Sequence, residues 1–97
     1  MASEKIEKQK YFKVGTGGQV TLPYTAQNDG LVIIEIRAQA QGRCYANFSG
    51  HSELFTDAYQ VKDGYFSKVV PVLKGTTIPV PTLNNVSAYT IYWFEFN

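Results

Sequence analysis

The sequence predicts an all-β domain, a sandwich or a barrel, and three observations predict it. Strand-like runs rich in Val, Ile, Tyr, Phe and Thr are separated by Gly30, Gly42, Gly50, Gly64 and Gly75, a turn spacing typical of such folds. From Tyr11 onward no window of helical length carries apolar residues at a 3.6-residue period, so no long helix is expected. Hydrophobic residues make up 44% of the chain and charged ones 18%, a balance that can bury a core rather than stay disordered. The 97 residues hold one domain and not two. No internal repeat is present, which excludes solenoids and propellers.

Each element follows from local signals. Residues 1–10 are polar, Lys-rich and nearly without apolar side chains; they read as a tether or linker preceding a single domain over 11–97. A short strand over 11–14 leads into Gly15-Thr16-Gly17-Gly18, expected as a loop. Residues 19–22 alternate and run into Pro23, which ends pairing or marks an edge. Asn28-Asp29-Gly30 reads as a tight turn, with Gly30 free to take positive φ. Strands follow over 31–38 and 43–49. Residues 53–61 are either a ragged strand or a loop. Asp63-Gly64 is a second turn signal before a strand over 65–73, where Pro71 must sit at a position that needs no ladder bond. Lys74-Gly75 turns into 76–80, broken by Pro79 and Pro81. Residues 83–87 read as a loop and 88–96 as the final strand.

Side chains alternate across a strand, so parity separates the faces. In 31–38 one face is Val32, Ile34, Ile36 and Ala38; the other is Leu31, Ile33, Glu35 and Arg37. In the last strand Thr90, Tyr92, Phe94 and Phe96 oppose Ile91, Trp93 and Glu95. A sandwich strand normally wets one face, and a contiguous exposed apolar patch marks an interaction surface. Either loops cover the second face or subunits pack these strands together. Ile91, Tyr92, Trp93, Phe94 and Phe96 are the candidate oligomer interface.

Chemistry is scarce. One histidine, His51, and one cysteine, Cys44, exclude multi-His sites, Cys-based zinc motifs and an intrachain disulfide. His51 lies in a turn-like Ser49-Gly50-His51-Ser52, and Cys44 lies within a strand, where a packed thiol is expected. Asp57, Asp63 and Glu53 lack calcium-loop spacing, and Glu35 and Glu95 have plain roles on strands. Gly15-Thr16-Gly17-Gly18 lacks the ending of a phosphate loop. The expectation is a protein that is not an enzyme and holds neither metal nor cofactor. The net charge of +1 offers nothing to nucleic acid or an anionic membrane. No apolar run is long enough to span a bilayer, and the charged N-terminus has no signal-peptide core. Near His51 and Asp57 lie Tyr59 and Tyr65. Rings beside polar acceptors suit saccharide stacking, so His51, Asp57, Tyr59 and Tyr65 are the candidate ligand-binding set, although the same aromatics also suit core or interface.

Leu22-Pro-Tyr-Thr-Ala26, Asn28-Asp-Gly-Leu-Val-Ile-Ile34, Arg43-Cys-Tyr-Ala-Asn-Phe48, Lys68-Val-Val-Pro-Val-Leu-Lys-Gly75 and Tyr89-Thr-Ile-Tyr-Trp-Phe-Glu-Phe96 occur in an order that resembles the small jelly-roll domains at the C-terminal tips of bacteriophage tail fibres and related virion proteins. The resemblance runs from about Gln19 to Asn97 and rests on turns and strand edges. Thr76 departs from it, since the family phrase often has an acidic residue there. It implies an antiparallel jelly-roll β-sandwich of about eight strands, assembled as a homotrimer that binds a receptor on a bacterial surface. It also implies a virion protein made in the host cytoplasm, with a glycan or protein receptor and other virion proteins as partners. A capsid or tail decoration protein without receptor binding, or a monomeric carbohydrate-binding module, are the alternatives. Far-UV circular dichroism is expected to show a β-type spectrum; helix above about one-fifth of the chain, against the usual third of globular proteins, would overturn the fold class.

Overall fold

The interior is built from the inward rows of three long strands. β3 (Gly30–Ala38) carries Val32, Ile34, Ile36 and Ala38 on one face, all completely buried. β6 (Tyr65–Val72) pairs antiparallel along one side of it and adds Val70 and Val72. β9 (Val86–Phe96) pairs antiparallel along the other side and adds Ile91 and Trp93. Each buried Val or Ile side chain among them stabilises the fold by about 1.5–3 kcal/mol. β1 (Val14–Val20) completes this sheet beyond β9, in the order β1-β9-β3-β6.

The computed structural model describes residues 14–96. The expected tether over 1–10, and all but Val14 of the expected strand over 11–14, lie outside the described residues. Among the described residues the fold is all-β with antiparallel sheets, and the one helical piece is a 3-10 turn, Ser52–Leu54.

A second layer faces the first. β2 (Tyr24–Thr25) pairs with β7 (Thr77–Ile78), and β4 (Gly42–Asn47) pairs with both β5 (Thr56–Gln60) and β8 (Thr82–Asn84). Ala46, Ile78 and Leu54 from this side pack with Ile34, Ile36 and Trp93 in one core cluster. The arrangement is compatible with a β-sandwich. Phe48, just past β4, and Ala26, just past β2, fill the ends of the core.

The structure revises four expectations. Gly15-Thr16-Gly17-Gly18 is not a loop: it lies within β1, which pairs with β9 across an irregularity between Val14 and Gly17. Glycine is required there by close approach, since a Cβ on Gly17 would overlap the Trp93 carbonyl and the Phe94 ring. Gly30 is an extended strand residue and not a positive-φ turn position; the space a Cβ would take is filled by Trp93 and the Phe94 carbonyl. Asp29 beside it stitches three segments, its carboxylate accepting from the Lys74 N–H at 2.8 Å and its carbonyl from the Phe96 N–H at 2.9 Å. The ambiguous stretch over 53–61 resolves into the 3-10 turn and β5. The loop expected over 83–87 is instead the end of β8, a turn at Asn85 with φ 56°, and the start of β9. The Asn85 side chain holds that turn by donating to the Ala40 carbonyl at 2.8 Å. In the Asp63-Gly64 turn the left-handed residue is Asp63, φ 64°, a conformation Asp tolerates better than most residues. Pro71 sits on β6, an edge strand, the setting in which a sheet tolerates a residue without an N–H.

Gly30→Ala places a methyl carbon 2.7 Å from Trp93 Cζ2. It is expected to cost about 1–3 kcal/mol, the range for overpacking, read as a lowered urea midpoint. An unchanged midpoint would show that β3 and β9 have room at this point.

Candidate functional site

The candidate ligand residues distribute over both layers. Asp57 and Tyr59 lie on the solvent face of β5, opposite Tyr45 and Arg43 of β4 in the ladder. The Arg43 guanidinium donates to both Asp57 oxygens, at 2.9 and 3.1 Å. That hydrogen bond and the carboxylate charge hold the guanidinium even further above its usual range. The same guanidinium lies 5.0 Å over the Tyr45 ring, and Tyr45 packs on Phe55 with centroids 5.6 Å apart. Tyr59, at 74% exposure, is open to solvent. Asp57 is therefore engaged in a surface ion pair, and the pair neutralises itself.

His51 precedes the 3-10 turn, with Nδ1 3.3 Å from Glu53 Oε1. A backbone hydrogen bond within Glu53, helped by the His51 ring, holds the Glu53 carboxyl below its ordinary range. Tyr65 opens β6 in the other sheet, under the Arg37 guanidinium, which also pairs with Asp63 at 3.2 Å. The structure thus brings Asp57 and Tyr59 onto one face and leaves His51 and Tyr65 on other elements. Among the described residues no hydrogen bond or ring contact joins the four.

The candidate interface residues separate by face. Ile91 and Trp93 are each 2% exposed and belong to the chain's own core. Tyr92 and Phe94 are half-buried and Phe96 is exposed, on the outside of the four-stranded sheet. The neighbours of these outward residues are apolar too: Leu31 stands between Phe94 and Pro71, and Ile33 between Tyr92 and Val69.

A cleft of about 330 Å³ opens where β1 meets β2, lined by Gly17, Gly18, Gln19, Val20, Tyr24, Trp93 and Glu95. Sequence reasoning did not single it out as a site. The one available signal was Glu95 sharing the inward parity of Trp93 on β9. The Tyr24 and Trp93 rings lie 5.6 Å apart at 48°. Partial burial and the nearby Glu95 charge raise the Tyr24 phenol above its ordinary range.

No group of His, Cys, Asp and Glu suited to a metal ion occurs among the described residues, and no described helix is long and apolar enough to cross a membrane. No family model matches the chain, and neither a characterised protein nor a solved structure matches it.

Cys44 is completely buried, its Sγ 3.5 Å from the Ala58 carbonyl. Burial, with a smaller push from Asp57, raises its thiol above the ordinary range, so less thiolate is present at any given pH. At pH 8 the native protein is expected to react with a thiol reagent at least about a hundredfold more slowly than the urea-unfolded chain. Equal rates would show that the strand opens readily.

Proposed function

We propose that this protein is a non-catalytic bacteriophage virion component, a homotrimer akin to tail-fibre tips, that binds a receptor or glycan on the host surface. The observation that carries the reading is the outer face of the four-stranded sheet. There Tyr92, Phe94, Leu31, Ile33, Val69 and Pro71 form adjoining rows across β9, β3 and β6, with Phe96 beyond them. Contiguous apolar surface on this scale favours a protein partner, and closed rotational assembly is the usual way to cover one patch with a copy of another. Three is the subunit number the tail-fibre resemblance implies.

The strand order supports a jelly roll. With β7 and β8 counted as one strand interrupted by Pro79 and Pro81, the first, eighth, third and sixth strands make one sheet. The second, seventh, fourth and fifth make the other. That alternation is the pattern of two Greek keys wound into a jelly roll of eight strands. In such an assembly Tyr59, largely exposed on the outer face of the other layer, stays available for contact with the host, and three copies multiply a weak affinity through effective concentration. A decoration protein shares the assembly and lacks the host contact.

Light scattering is expected to give three times the 10.9 kDa chain mass. Phe94→Glu, on the outer face, should yield a folded monomer, whereas Trp93→Glu should unfold the chain because Trp93 lies in its core. Labelled trimer should adsorb to at least one strain in a panel of bacteria. A wild-type mass equal to one chain at micromolar concentration would overturn the assembly, and adsorption to no strain would favour the decoration role.

A further inference from the structure

The cleft between β1 and β2 has the chemistry of a small binding site. Its floor is glycine backbone: a Cβ on Gly18 would meet nothing within 4 Å, so the missing side chain leaves open space opposite Trp93, its partner in the ladder. One wall is aromatic: the half-buried Tyr24 ring of one layer packs at a tilt on the buried Trp93 of the other and covers it. At the mouth stands Glu95. Its Oε2 accepts from Asn28 Nδ2 at 3.2 Å; Oε1 has no donor among the described residues. Gln19, exposed on β1, adds an amide that both donates and accepts. Among the described residues none that lines the cleft carries a positive charge, so a carboxylate, sulfate or phosphate ligand would face Glu95 without compensation from them. The size, about 330 Å³, is at the small end of ligand sites, which run from roughly 300 to 1,000 Å³.

We propose that this cleft binds one neutral saccharide ring, with Tyr24 against its apolar face and Glu95 Oε1 accepting from its hydroxyls. A sugar ring offers the two things this site can use at once: a patch of C–H groups for the aromatic wall and hydroxyl donors for a carboxylate oxygen that has no donor among the described residues. The wall holds one further unmet demand. Trp93 Nε1 is buried without an acceptor among the described residues, a situation rare in folded proteins. That N–H is sealed from solvent, so a ligand oxygen reaches it only if the wall moves outward, and Glu95 is the contact to test. The inference rests on the receptor reading for its biological setting, since it gives the host glycan a place on the domain, away from Tyr59 and Tyr65.

The test is a heteronuclear NMR titration of the full chain with methyl glucoside, methyl galactoside and methyl N-acetylglucosaminide at up to tens of millimolar, on wild type and Glu95→Gln. Glutamine keeps the shape of the side chain, and an unchanged spread of amide signals shows that the variant folds. The expected result is saturable shifts at residues 17–20, 24 and 93–95 with at least one glycoside, weakened about tenfold or more by Glu95→Gln, in line with loss of a charge-assisted hydrogen bond. No shift at these residues with any glycoside, or equal affinity in the variant, overturns the proposal. Cell adsorption separates the two readings. Adsorption without glycoside binding in the cleft sinks the cleft and leaves the receptor role. Glycoside binding without adsorption sinks the receptor role and leaves the cleft.

Discussion

Trp93 needs a seat, and much of the molecule is arranged to provide one. The indole is the largest side chain of the interior and is 2% exposed. In the sheet its ladder neighbours are Val32 on β3 and Gly18 on β1. Gly30 yields the space that its ring atoms occupy, and Tyr24 closes over it from the second layer. A Cβ at Gly30 would push the start of β3 away from β9, and one at Gly17 would push β1 off the Trp93 carbonyl and the Phe94 ring. Gly17 is therefore an accommodation to a neighbour rather than part of a turn. The cleft at the edge of the two layers is the rim of the same seat, with Tyr24 as its aromatic wall and the Gly17–Gly18 backbone as its floor.

The two layers treat their outer faces differently. Outside β4 and β5 the residues are Arg43, Tyr45, Asp57 and Tyr59, with the charges paired and the Tyr45 ring under the guanidinium. Such exposed ion pairs contribute little to stability, and this face is at ease in water. Outside β9, β3 and β6 the residues are predominantly large and apolar. One strand, β9, supplies both the inner anchor, Trp93, and the outer aromatics, so the same segment stabilises the domain and shapes the surface it offers a partner. The division of labour between Ile91 and Trp93 on one side and Tyr92, Phe94 and Phe96 on the other follows from nothing more than strand alternation.

Legibility in the sequence followed the range of the interaction. The inward row Val32, Ile34, Ile36 and Ala38 was readable because parity is local. So were the turn at Lys74-Gly75 and the strand over most of β6. The loop assigned to Gly15-Thr16-Gly17-Gly18 failed because glycine has two uses: it permits unusual backbone angles, and it permits close approach. A single sequence does not distinguish them. Gly17 and Gly30 serve the second use, and the atoms that demand it belong to Trp93 and Phe94, far along the chain. β8 was missed for a related reason: three exposed residues carry no apolar pattern, and only their hydrogen bonds to β4 make them a strand.

The sequence alone determined that the chain is all-β, where most strands run, which residues share a face, and that the last strand is apolar on both sides. These depend on neighbours one or two positions apart. Only the tertiary structure decided which face of β9 turns inward, that Ile91 and Trp93 are consumed by the core, that Asp57 is tied to Arg43, and that His51 and Tyr65 lie on elements apart from it. It also decided that Tyr24, Trp93 and Glu95 meet, with Asn28 reaching Glu95 across 67 positions of sequence. Burial is a property of the whole packing: parity names two faces, and the choice between them is made by which one the opposing layer can cover.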